Sequence, residues 1–146
     1  MKFFLDSAKL DEIDKAYKCY GIDGVTTNPK HIMNSGKPFL QAITDIANWI
    51  KENKLEGMDK FPVSVEINPH LSKAEDMVSE AHKIAAICKN FVIKIPCNLE
   101  GLKAAKQLEE EGVRTYTSKT QLAINYLHFV CFSRQSTTCT HCPRNG

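Results

Sequence analysis

Five short runs rich in β-branched and aromatic residues recur along this sequence, each separated from the next by a stretch with helical periodicity. Lys2 to Asp6 is the first, with Phe3 and Leu5 on one face and Asp6 closing the other. Ile22 to Thr26 is the second, interrupted by Asp23-Gly24 and running into Thr26-Thr27-Asn28-Pro29. Pro62 to Ile67 sets Val63, Val65 and Ile67 against Ser64 and Glu66. Phe91-Val92-Ile93-Lys94-Ile95-Pro96 ends in a proline that cannot donate to a strand ladder, and Val113 to Thr115 begins a fifth run. Four apolar stripes lie between them. Leu10, Ile13 and Tyr17 follow Ser7, a potential cap, and stop at Gly21. Phe39, Ile43, Ile46 and Ile50 follow Pro38 at the first helical position, with Trp49 covering the edge of the stripe. Met77, Val78, Ala81, Ile84 and Cys88 follow a Ser72-Lys73-Ala74-Glu75 capping box. Leu102, Ala105 and Leu108 follow Asn98 and end at Gly112.

Each helix is long enough for a right-handed crossover between parallel strands, so the chain is α/β with a parallel sheet. Two closures accommodate that order: an open doubly wound sheet, or the first half of a (β/α)8 TIM-type barrel. Neither G-x-G-x-x-G nor G-x-x-x-x-G-K-[ST] occurs, which removes the usual support for a nucleotide-binding open sheet. Polar residues gather at the C-terminal ends of several strands, where barrel enzymes build their sites, and this favours the barrel. A full barrel needs at least about 200 residues, so the 146 present correspond to four to five of its β/α units, an incomplete barrel.

With 42% hydrophobic and 25% charged residues, the composition is that of an ordinary globular protein. A net charge of +2 without a dense Lys/Arg footprint argues against nucleic acid as a partner. No apolar stretch approaches the ~20 residues of a membrane span. Met1 to Asp6 meets an acid too early for a signal peptide, so a cytoplasmic chain without membrane partners is expected. The six cysteines, at irregular positions, do not form a secreted disulfide framework.

Asp6, Thr26, Asn28, Glu66 and Lys94 each fall at or just beyond the end of a strand, Thr26 and Asn28 at the same one, and side-by-side strands would bring them together. Each has a plain alternative. Asp6 could cap a helix, Asn28 could hold a turn before Pro29, Glu66 could neutralise Lys94, and Lys94 could extend its ammonium to water. Together they suit other chemistry. Burial among apolar residues disfavours an ammonium and frees the lysine amine to attack a carbonyl, which is Schiff-base chemistry. Such a site needs carboxylates to move protons, here Glu66 and Asp6, and hydroxyl or amide groups to orient a polyol, here Thr26 and Asn28. No metal or other cofactor is called for, because His31, His70 and His82 show no ligand spacing and read as surface residues.

Lys2-Phe3-Phe4-Leu5-Asp6-Ser7, Asp23-Gly24-Val25-Thr26-Thr27-Asn28-Pro29, Val63-Ser64-Val65-Glu66 and Val92-Ile93-Lys94-Ile95-Pro96 with Glu100-Gly101-Leu102 together resemble the transaldolases, especially the short group that includes the fructose-6-phosphate aldolases. The resemblance covers residues 1 to about 115. It implies a (β/α)8 barrel, in a family of homo-oligomers of the pentose phosphate pathway. In that family's terms Lys94 forms the Schiff base with a ketose phosphate. Asp6 assists proton transfer during carbon–carbon cleavage, and Glu66 acts as acid/base through a water. Thr26 and Asn28 contact the dihydroxyacetone unit. Glutamate at position 66 is typical of transfer to an aldose phosphate, against aldolase-like cleavage as the alternative.

The likeness fades after Thr115. Cys97-Asn98 replaces the usual residues after the proline, and Ser118 stands where a water-orienting threonine is expected, with neighbours that do not match. From Thr117 onward there is no Asp or Glu, although the preceding part holds all 17, and three of the six cysteines lie there. Two regions are therefore expected: a transaldolase-like partial barrel over 1–115 and an atypical tail over 116–146, out of frame or disordered. A chain so altered would be an impaired enzyme, an inactive remnant, or a half-barrel that associates with another chain. Cys139-Thr140-His141-Cys142 is a weak metal motif without a second pair.

Overall fold

Glycine and proline punctuation sets the element boundaries in the computed structural model, which describes residues 1–57 and 59–118. The order is β1 (Phe4–Asp6), α1 (Leu10–Tyr20), β2 (Gly24–Thr26), α2 (Pro29–Asn34), α3 (Phe39–Glu52), β3 (Val63–Glu66), α4 (Ala74–Ala85), β4 (Phe91–Pro96), α5 (Leu99–Glu110) and β5 (Thr115–Ser118). Gly21 closes α1 in the left-handed conformation, φ 62°, where its amide bonds the Tyr17 carbonyl.

The five strands form one parallel sheet in the order β1-β2-β3-β4-β5. Spatial order that follows chain order, joined by right-handed crossovers, places every helix on the same face. A doubly wound sheet requires the order to reverse, so this topology is the partial TIM-barrel pattern. Register aligns Asp6 with Thr26, Thr26 with Ser64, Glu66 with Lys94 and Lys94 with Tyr116.

Alternation along each strand divides the sheet. Val25, Val63, Val65, Ile93 and Ile95 are buried against Ile13, Ile43, Ile46, Ile50, Met77, Ile84 and Leu108 of the helices. Each such side chain contributes roughly 1.5–3 kcal/mol on burial. The other face carries Asp6, Thr26, Ser64, Glu66, Val92, Lys94 and Tyr116, all partly or fully exposed. Barrel interiors are built from that face.

Several local expectations are corrected. Trp49 does not merely cover an edge: it is buried, its ring Nε1 donating to Asp14 Oδ1 at 3.1 Å and packing edge-on to Tyr17 and tilted on Phe61. Lys18 and Trp49 hold the Asp14 carboxyl below the usual carboxylate range. Ser7 does not cap α1, whose N-cap is Lys9; the Ser7 hydroxyl instead accepts from the Lys9 amide and donates to Glu12. Pro38 is the N-cap residue of α3 rather than its first helical residue. The capping box before α4 does not form, because Lys73 and not Ser72 is the N-cap; the Ala74 amide donates to Glu100 Oε2 of α5 at 3.3 Å. A neighbouring helix thus satisfies one of the orphan amides at the start of α4. Lys103 and that amide hold the Glu100 carboxyl low.

Asn90 is fully buried and ties the loop before β3 to the start of β4. Its Nδ2 donates to the carbonyls of Leu55, Gly57 and Phe61, while Oδ1 accepts from the Gly57 amide. Among the described residues no helix is long and apolar enough to cross a membrane. The remainder of the tail, with Cys139-Thr140-His141-Cys142, lies outside the described residues.

Candidate active site

Lys94 stands on the exposed face of β4, two residues before its end, because Ile93 and Ile95 take the helix-facing positions. Glu66 occupies the aligned position on β3, and Lys94 Nζ donates to Glu66 Oε2 at 3.1 Å. Both side chains are largely withdrawn from water, 22% and 14% exposed. Of the two surroundings the sequence offered for the amine, apolar neighbours or neutralisation by Glu66, the structure shows the pair with Glu66. A lysine and a carboxylate in contact can pass a proton directly or through one water.

A second cluster forms at the ends of β1 and β2. The Thr26 hydroxyl donates to Asp6 Oδ1 at 2.8 Å, as the register of the two strands requires. Thr27 points the opposite way, is buried, and donates to the Ser64 carbonyl at 2.9 Å, pinning the end of β2 to β3. Asn28 caps α2, its Oδ1 accepting from the His31 amide at 3.0 Å. With Oδ1 so engaged, its Nδ2 protons are the atoms left to meet a ligand.

The two clusters share one face and one end of the sheet, but they are separate groups of contacts. Along the sheet β1 and β4 are three strand spacings apart, about 14 Å. Ser118 aligns with Pro96 through the β5 backbone, one strand beyond Lys94. Sequence reasoning missed His31, which was read as a surface residue: its Nε2 lies 3.0 Å from Asp6 Oδ2. The available signal was its position three residues after Asn28, in the turn that leaves a strand end. His82 does pair at the surface, with Glu111.

Residues 3–117 match the transaldolase/fructose-6-phosphate aldolase family. The chain is 58% identical over 115 residues to the 6-deoxy-6-sulfo-D-fructose transaldolase of Priestia megaterium, covering 79% of this chain and 49% of that protein. It is 46% identical over 115 residues to a probable transaldolase of Brachyspira hyodysenteriae, with the same coverage of both chains. A probable transaldolase of Lachnoclostridium phytofermentans is 44% identical over the same length. The chain thus spans about half the length of the curated relatives it matches. A match running from the first strand to the fifth, over a parallel sheet with Lys94 and Glu66 in contact on its open face, assigns this chain to the transaldolase/fructose-6-phosphate aldolase family.

Proposed function

We propose that this site carries out Schiff-base transfer of a dihydroxyacetone unit from a ketose bearing an anionic group at C6. The observation that carries the reading is the contact between Lys94 and Glu66 on the open face of adjacent parallel strands. After Lys94 Nζ passes its proton to Glu66, the free amine attacks the C2 carbonyl to give a carbinolamine, and Glu66 returns that proton, through a water, so that hydroxide leaves as water. The resulting iminium draws electrons as the C3–C4 bond breaks. Asp6 takes the proton of the C4 hydroxyl, an aldehyde departs, and the bonding pair remains on the lysine-bound three-carbon enamine. Attack of that enamine on an acceptor aldehyde and hydrolysis of the iminium complete transfer; hydrolysis without an acceptor is simple cleavage. Thr26 and Asn28 orient the hydroxyl groups of the three-carbon unit.

Two donor classes fit, and the relatives favour one. Identity of 58% to a sulfofructose transaldolase, against 46% to a probable transaldolase, points to a C6 sulfonate as the donor anion, with a sugar phosphate as the alternative. The test is borohydride reduction with fructose 6-phosphate or 6-deoxy-6-sulfofructose, followed by peptide mapping. An adduct on Lys94, absent in Lys94→Met, is expected. Labelling elsewhere with Lys94 unmodified, or no adduct with either sugar, would overturn the reading.

A further inference from the structure

The mechanism above leaves the His31 ring without a task, although it reaches directly into the Asp6 cluster. His31 sits in α2 with its side chain 27% exposed, and its Nε2 lies 3.0 Å from Asp6 Oδ2. The other carboxylate oxygen accepts from Thr26 at 2.8 Å. Asp6 is thereby held at both oxygens from two different elements, although its own side chain is 62% exposed and its strand is only 3 residues long. A carboxylate so placed would otherwise rotate freely, and a general base works only when one lone pair meets the proton it removes.

We infer that His31 is a positioning residue for Asp6: its Nε2–H donates to Oδ2 and fixes the carboxylate for proton removal during carbon–carbon cleavage. The inference rests on the Schiff-base reading. Each carboxylate oxygen retains a second lone pair, so the two donors orient the group without occupying it. The ring and the backbone of His31 act on different partners. Its amide serves Asn28 Oδ1, and a side-chain substitution leaves that amide in place. Replacing the ring therefore tests Asp6 without disturbing the Asn28 cap.

The test separates cleavage from imine formation. Borohydride traps two adducts on Lys94 when fructose 6-phosphate or 6-deoxy-6-sulfofructose is the donor: the intact six-carbon ketose before cleavage, and the three-carbon unit after it. Their ratio comes from folded molecules alone, so loss of stability does not move it. His31→Met and His31→Gln have similar reach and differ in whether a donor is present. His31→Met should lower the three-carbon to six-carbon ratio roughly ten- to a hundredfold, the range for a misaligned general base. His31→Gln should restore most of it. Equal ratios in the parent chain and both variants would overturn the positioning role and leave Lys94 as the Schiff-base residue. Equal losses in Met and Gln would also overturn it, since ring shape and not a donor would then matter. Absence of any Lys94 adduct in the parent chain would overturn the Schiff-base reading and this inference with it.

Discussion

Gly101→Ala should destabilise the chain although alanine is the better helix former. Gly101 lies in the first turn of α5, where its amide donates to Asn98 Oδ1 at 2.7 Å. A Cβ there would sit 1.9 Å from the Pro96 carbonyl oxygen and 3.1 Å from Asn98 Oδ1. Ordinary C···O contacts begin near 3.3 Å, so the first distance is about 1.4 Å short. The obstacle is backbone at the end of β4 and cannot rotate aside. At an unobstructed helical site the substitution would gain about 1 kcal/mol. Here an overpacking cost of about 3 kcal/mol, the upper end of the usual range, should exceed that gain and leave a net loss of about 2 kcal/mol. For the 118 residues through β5 this corresponds to a melting temperature about 8 °C lower, read by circular dichroism. The strain falls two residues from Lys94, so borohydride trapping should fall as well, because a shift near 1 Å can cost about a hundredfold in rate. A variant as stable as its parent would refute the close approach of α5 to β4 and the explanation of Gly101 that follows from it.

Two further predictions concern the opposite end of the sheet. Asn90→Ala strips the partners from three backbone carbonyls and one amide and should cost about 3 kcal/mol, measured by urea unfolding; a change below ~1 kcal/mol would mean that water replaces all four bonds. Burial pushes the Cys88 thiol up, so less of it is thiolate at mildly alkaline pH, and peptide mapping should show iodoacetamide alkylating it more slowly than exposed Cys19. The gap should narrow as pH rises, and Cys88 reacting first would contradict its burial.

Much of the sheet was legible because strand alternation is a local property. Val63, Val65, Ile93 and Ile95 declare the helix-facing side, and that choice forces Glu66 and Lys94 onto the other. Their contact was offered by the sequence only as one alternative and was not fixed there. It depends on the register between β3 and β4, and a one-residue slip would have turned the two apart. The capping box failed because α4 starts one residue later than its spacing requires, with Lys73 as N-cap, and Glu100, 26 positions away in sequence, serves the Ala74 amide. Trp49 was misjudged because Asp14 supplies its buried ring with an acceptor from α1, which helical periodicity in α3 does not reveal.

The segment Thr26-Thr27-Asn28 explains how so little sequence specifies one corner of the site. Strand alternation turns Thr26 to the open face, where it reaches Asp6 on β1. The next residue must then face the opposite way, and Thr27 uses its hydroxyl to bond the Ser64 carbonyl on β3. Asn28 leaves the strand in an extended conformation, φ −150° and ψ 169°, and its side chain starts α2. One residue holds Asp6, the second fixes the strand that carries it, and the third launches the helix that brings His31 back to Asp6. Replacing Thr27 by valine would keep its shape and remove the bond to Ser64, loosening β2 against β3 while the inward groups stay chemically intact. Replacing Thr26 by valine would leave that anchor in place and remove a donor from Asp6. Two adjacent threonines of one turn therefore have separable consequences, one for the frame and one for the Asp6 carboxylate.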